Sequence, residues 1–269
     1  MRLFACACCS PYAARYASPA DAGSGGARPR HASGGKVDPA LLDDLVAANL
    51  ILASEGVLDG YGHVSMRHPD NPERYFISRS LAPATVTRQD LVECTLDSDY
   101  VDPDAPASYL ERYIHGSIYK ARPDVNCVVH SHSPTVIPFA NSKTPLRAMG
   151  HVAGFLAGRV PVFDIKDKFG ATDMLVKNND HGAALAEVLG DRPIALMRGH
   201  GNVVTAPDVK VGVFRAYYTE VNARQQIQVQ SLDGPVTYLD EAEGEKCNEM
   251  IAATSERPWL LWKKKVGMG

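Results

Sequence analysis

The stretch Asn126-Cys127-Val128-Val129-His130-Ser131-His132 decides how this chain is read. Its small and β-branched apolar residues describe a buried strand, and two histidines close it. Side chains alternate across a strand, so His130 and His132 project from one face, about 7 Å apart along the backbone, a separation that one metal ion bridges. Working outward, Glu111 stands nineteen residues before His130, and Arg198-Gly199-His200-Gly201 follows far downstream. His200 sits between glycines after a second apolar run, Ile194 to Met197, where a small-residue loop lets an imidazole approach an ion closely. Three neutral imidazoles with positions left for water or substrate describe a catalytic divalent site more than a structural one.

A lone His-x-His pair also fits two hydrogen-bonded core residues, and a lone Glu111 fits a solvated helix face paired with Arg112 or Arg122. Beside a metal, Glu111 gains a second meaning, as a ligand in the resting state and a proton carrier once substrate displaces it. His115 follows four residues later, on the same helical face.

The 269 residues can bury a full core, and a net charge of −3 gives no reason to expect nucleic acid. No run approaches the roughly twenty apolar residues of a membrane span. Cys6, Cys8 and Cys9 crowd the N-terminus while Cys94, Cys127 and Cys247 are scattered, which is no disulfide framework and fits a reducing cytoplasm. The Cys-x-Cys-Cys cluster has no partner cluster to complete a soft-metal site. Residues 1–36 are rich in Ala, Gly, Ser, Pro and Arg with Asp21 as their single acid, a composition expected to be disordered. Their bias resembles a transit peptide, but an extension without a role is the simpler reading.

Residues 37–269 then form one catalytic domain. Asp38-Pro39 opens a helix with Leu41, Leu42, Leu45, Val46 and Leu52 at helical spacing, and Gly56 stops it. Gly62 to Arg67, Tyr75 to Ser78 and Leu91 to Leu96 read as antiparallel strands separated by turns. Ala107 to Ala121 is expected to be a helix ending before Arg122-Pro123-Asp124. After the histidine strand come a helix over His181 to Leu189, the strand Ile194 to Met197, and helices over Val211 to Val229 and Glu241 to Thr254. Interleaved helices and short strands around one sheet give an α/β class. Trp259, Trp262 and Lys263-Lys264-Lys265 are read as a packed tail with a solvated basic end.

Glu111, His115, Ile118-Tyr119, Arg122-Pro123-Asp124-Val125-Asn126, the histidine strand and Gly199-His200-Gly201 together resemble the class II aldolase/adducin family. Gly62-His63-Val64-Ser65-Met66-Arg67 is similar to that family's Gly-Asn-x-Ser-x-Arg stretch, and the resemblance covers about residues 40 to 240. It implies a three-layer α/β/α sandwich with a central, mainly antiparallel sheet. It also implies a homotetramer with sites at subunit junctions and one divalent metal ion per subunit. By position, His130, His132 and His200 match the metal ligands and Glu111 the catalytic acid/base. Adducin-like members keep the fold without the chemistry, whereas every ligand position is intact here.

The chain departs from the sugar-phosphate aldolases of the family where they hold phosphate. Their Ser-Ser pair before the glutamate is Tyr109-Leu110, their asparagine is His63 beside Ser65, and their Thr-Gly aligns with Arg79-Ser80. Arg79 offers a planar fork suited to a carboxylate, and His63 adds a hydrogen bond or a charge. His151 stands where the aldolases place a proton-donating tyrosine contributed across the subunit junction. His63, Ser65, Arg79 and Ser80 are therefore expected to bind substrate, with Glu111 and His151 catalytic. The resemblance then shifts to the family's decarboxylases of hydroxylated aromatic or pyridine dicarboxylates, such as 3-hydroxy-2-methylpyridine-4,5-dicarboxylate. The metal is expected to be Mn2+ or Zn2+, since oxygen-rich chelators suit the first and three imidazoles the second. A retro-aldolase or epimerase of a sugar or sugar phosphate, and a non-catalytic adducin-like module, are the competing readings.

Overall fold

Asp38 caps the first helix as its sequence asks: its Oδ1 accepts from the Ala40 amide at 2.9 Å, and Pro39 fills the first helical position of α1 (Pro39–Ser54). The computed structural model describes residues 28–269, so the cysteine cluster at 6, 8 and 9 and most of the expected disordered extension lie outside the described residues. Residues 28–36 carry no helix or strand, yet they are tied down. Arg74 Nε donates to the Ala32 carbonyl at 2.9 Å, His31 N to Val101 O at 3.1 Å and Ser33 Oγ to Glu93 at 2.7 Å.

Seven strands form one sheet: β1 (His63–Arg67), β2 (Arg74–Ser78), β3 (Leu91–Thr95), β4 (Cys127–Ser131), β5 (Val162–Phe163), β6 (Ile194–Met197) and β7 (Gly201–Ala206). Their order is β3-β2-β1-β4-β7-β6-β5, antiparallel throughout except for the β5–β6 pair. The remaining helices are α2 (Arg112–Ala121), α3 (Ile137–Ala140), α4 (Ile165–Phe169), α5 (Asn179–Leu189), α6 (Val209–Gln230), α7 (Glu241–Thr254) and α8 (Glu256–Lys265).

Strand alternation divides the core in two. Val64, Met66, Cys127, Val129, Leu196 and Val204 face a cluster built with α1, α6 and α8. Ile77, Val92, Val128, Ala195 and Val203 face a second cluster with α2 and α5. Helices on both faces of one sheet make the three-layer α/β/α sandwich. His130 shares its parity with Val128, so it faces the α2 layer.

Of the elements that differ from the sequence expectation, two bear on the site. Helix α2 begins at Arg112, not Ala107, because Ser108 pairs with Arg79 in an isolated β-bridge and its hydroxyl donates to the Ser78 carbonyl at 2.7 Å. The strand β7 is absent from that expectation although Val203, Val204 and Thr205 favour one. It lies inside the sheet, between β4 and β6.

The C-terminal tail is helix α8, and Trp259 and Trp262 are both 4 % exposed. Trp262 packs on Tyr217 of α6, ring centroids 4.9 Å apart, and Lys263 pairs with Asp44 of α1 at 2.9 Å. Among the described residues no helix is long and apolar enough to cross a membrane. Trp262→Ala should lower stability by about 3–5 kcal/mol through the cavity it leaves, read as a fall in the urea midpoint with an unchanged slope.

Candidate metal centre

The β4–β7 ladder builds the site. His130 lies opposite Val203 and Ser131 opposite Asn202, so the loop that precedes β7 carries His200 alongside His132. Gly199 has a φ of +65°, and a Cβ at Gly201 would strike the Ser131 carbonyl oxygen, so both glycines are needed to bring His200 in. Glu111 is the N-cap of α2 and reaches in from the next layer.

Glu111, His130, His132 and His200 each present one donor atom, all within 4.8 Å of one another. Each imidazole is fixed through its other nitrogen. His130 Nδ1 lies 3.2 Å from Asn202 O, His200 Nδ1 3.1 Å from Met174 O, and His132 Nδ1 3.1 Å from Asp59 Oδ2. These partners only accept hydrogen bonds, so each Nδ1 carries a proton, and in the neutral imidazole each Nε2 is left as a lone pair free to ligate. His130 Nε2 and His132 Nε2 stand 3.2 Å apart with no proton to share. His200 Nε2 is buried without a hydrogen-bond partner, although Glu111 Oε2 lies 3.2 Å away. Converging lone pairs and a carboxylate make a donor set that fits a divalent cation.

Glu111 is 8 % exposed. Burial pushes its carboxyl up, but the neighbouring imidazoles of His130 and His200 outweigh that and hold it well below the usual carboxylate range. Burial also pulls His200 down, and its contact with Glu111 reverses the sign, so His200 ends above the ordinary imidazole range; His130, fully buried, ends below it.

The other expected residues divide. His63 lies opposite His130 in the β1–β4 register, its ring between those of Tyr109 at 4.3 Å and His130 at 5.1 Å. Its Nδ1 is 2.7 Å from His115 Nε2, and His115 Nδ1 is 2.6 Å from Ser65 Oγ, which also bonds Tyr119 at 2.7 Å. Ser65 is 0 % exposed and its hydroxyl is used twice, so in this structure it holds His115 from behind the cluster. Arg79 is 45 % exposed, its Nε bonded to Asp90 Oδ1 at 2.6 Å, while Ser80 is exposed. Neither makes a hydrogen bond or ion pair to the four-residue cluster. His151 is exposed at the start of a 3-10 helix, His151–Leu156, and makes no such bond to the cluster either. Tyr109 OH bonds Ser78 and Leu81 O, and burial pushes its phenol up to about 12.

Sequence reasoning passed over the groups that aim the donors. Asp59 holds His132 with one oxygen and the Tyr61 and Gly62 amides with the other, at 2.8 and 3.0 Å. Met174 has a φ of +69°, unusual for a side chain of its size, and this turns its carbonyl onto His200. Two residues on, the Val176 amide donates to Glu111 Oε1 at 2.9 Å. Glu220 of α6 accepts from Ser133 and Thr135 just beyond His132. The Asp-Gly-x-Gly turn at 59–62 is the one local signal among them.

Asp59→Asn should weaken binding of Zn2+ or Mn2+ about 10–100-fold by calorimetry, with the fold retained, because the carboxylate orients His132. A second expectation concerns pH. Burial drives His115 down to about 3, and His63 well below its ordinary value, so both stay neutral in the folded chain. The unfolded chain binds the extra protons below about pH 6.5, so stability falls as pH drops from there toward 3. Chemical denaturation across that range should show this slope, and His115→Gln should reduce it by up to one proton, about 1.4 kcal/mol per pH unit.

Known proteins agree with this architecture. Residues 43–227 match the family model described as the class II aldolase and adducin N-terminal domain. The chain is 38 % identical over 242 residues to decarboxylase tropJ of Talaromyces stipitatus, covering 81 % of this chain and 91 % of that protein. It is 30 % identical over 213 residues to a 3,4-dihydroxyphthalate decarboxylase of Arthrobacter keyseri, covering 72 % and 80 %. An aldolase II superfamily protein of Pseudomonas syringae superposes with a TM-score of 0.71 at 23 % identity, over 86 % of this chain and 94 % of that one. The sheet order, the helices on both faces and the shared sequence lead to one assignment: this chain belongs to the class II aldolase and adducin family.

Proposed function

We propose that the chain is a divalent-metal-dependent carboxy-lyase that decarboxylates a hydroxylated aromatic or pyridine dicarboxylate, with 3-hydroxy-2-methylpyridine-4,5-dicarboxylate as an example of the class. The observation that carries this reading is an intact donor cluster of Glu111, His130, His132 and His200 in a chain 38 % identical to a protein named as a decarboxylase. The replaced phosphate grip supports it as well. Tyr109 fills space beside His63 with a ring, and the terminal nitrogens of Arg79 make no hydrogen bond among the described residues. A guanidinium with that fork open suits a second carboxylate.

His130, His132 and His200 would hold one Mn2+ or Zn2+ per subunit, with Glu111 as the fourth donor. The ion would supply Lewis-acid stabilisation of negative charge on the substrate. Glu111 Oε2, held ionised, takes the proton of the ring hydroxyl as substrate enters. The ring carbon that bears the departing carboxylate takes that proton from Glu111, or one from His151 of a neighbouring subunit, which interrupts the ring's aromaticity. The bond between that carbon and the carboxylate carbon then breaks, its electron pair returns to the ring, carbon dioxide leaves and aromaticity is restored, and the ring oxygen takes a proton from water as product departs. His63 keeps its place in the wall through His115, and Ser65 acts only by holding His115. A homotetramer with sites at subunit junctions, working in the cytoplasm, completes the proposal.

The test is carbon dioxide release across hydroxy-dicarboxylates and sugar phosphates, with metal-depleted and metal-restored protein. Release is expected from dicarboxylates only, and only with metal, and His130→Ala should lose both stoichiometric metal and turnover. Aldehyde formation without carbon dioxide would establish the retro-aldolase instead. A folded chain with neither metal nor turnover would establish the adducin-like module.

A further inference from the structure

At the other end of the strands that carry the histidines lies a cavity of about 620 Å³, lined by Arg122, Arg192, Arg215, Phe155, Asn248 and Pro207 among others. Strand β4 starts beside it at Cys127 and β7 ends there at Ala206, so a strand length, about 17 Å, separates it from the imidazoles. It is no part of the donor cluster.

Its arginines are not equivalent. Arg122 is satisfied, with a two-point pair to Asp124 at 2.8 and 2.6 Å and a bond to Gly190 O at 2.7 Å. Arg192 makes one bond, Nη2 to Ala157 O at 2.5 Å, and Arg215 makes one, Nη1 to Thr205 O at 2.6 Å. The Nε of each is buried without a hydrogen-bond partner, and so is Asn248 Oδ1. Neither arginine has an ion pair among the described residues, although a guanidinium stays charged in a protein. Burial, together with the nearby Arg122, pulls Arg215 below its ordinary range despite Asp208. The terminal Nη1 of Arg192 and Nη2 of Arg215 also make no hydrogen bond among the described residues, and these are the donors that a bound anion reaches, offsetting the cost of two charged groups left short of partners.

The walls say what fits. The Arg215 guanidinium lies 6.0 Å over the buried Phe155 ring, and Ala157 and the two prolines 193 and 207 add small apolar patches to a mainly polar lining, which leaves room for a small organic body. Asp191, Glu241 and Glu245 sit exposed on the lining, where they repel any extended polyanion. We propose that this cavity binds one small organic oxyanion, a carboxylate or phosphate head on a compact organic body, with the head held by Arg192 and Arg215 and a further hydrogen bond donated by Asn248 Nδ2. The site is separate from the metal centre, and the proposal does not depend on the reaction assigned there.

Calorimetric titration of the full chain with benzoate and with inorganic phosphate, chloride holding the ionic strength, tests it. One saturable site per chain is expected, unchanged in His200→Ala and weakened at least about tenfold in Arg192→Gln and in Arg215→Met. Tighter benzoate identifies a carboxylate ligand; tighter phosphate identifies a phosphorylated one. If circular dichroism shows Arg215→Met unfolded, Arg192→Gln and Asn248→Ala carry the comparison. No saturable heat with either probe, or binding lost in His200→Ala and kept in the arginine variants, overturns the proposal.

Discussion

The antiparallel pairing of β4 with β7 is the constraint on which the site depends. Its register sets His130 against Val203 and Ser131 against Asn202, and the Asn202 carbonyl receives His130 Nδ1. The same pairing brings the Gly199-His200-Gly201 loop beside His132, closely enough that a Cβ at 201 has no room. A slip of one residue would turn His130 into the other core layer and scatter the donors.

Around that ladder the donors are aimed by groups with no chemistry of their own. Met174 O and Val176 N, on one short loop, hold His200 and Glu111 together. Asp59 holds His132, and Glu220 holds the chain just after it. Behind the cluster, His63, His115, Ser65 and Tyr119 form a buried hydrogen-bonded row that ties β1 to α2. Arg67 closes the same seam, donating to Val125 O, Tyr119 O and Arg122 O. Buried polar groups that are satisfied in this way favour one arrangement of the layers, since any other strands them.

Much of the fold was legible in the chain. Asp38-Pro39, the alternating runs at 62–67, 75–78 and 91–96, and the apolar run before His130 all fell where local preference and periodicity put them. Two elements escaped the reading: Ser108 was drawn out of a helix by its pairing with Arg79, and β7, although Val203, Val204 and Thr205 favour a strand, is buried on both faces and so shows no alternation. The surroundings of Ser65 were hidden by long-range packing. Its partner His115 lies fifty residues away, and only the β1–α2 packing shows that its hydroxyl is taken.

The sequence by itself determined the donor types and the elements that bear them: a His-x-His at a strand end, a glutamate on the helix before it, and a histidine between glycines. Side-chain chemistry and strand alternation are local properties, so they can be read without the fold. Only the tertiary structure decided that the four donors meet within 4.8 Å with the three imidazole Nδ1 atoms turned away. It alone decided that Arg192 and Arg215, far apart in the chain, leave unpaired nitrogens at one cavity. Convergence and the satisfaction of hydrogen bonds depend on strand register and layer packing, and these are set by contacts between residues tens of positions apart.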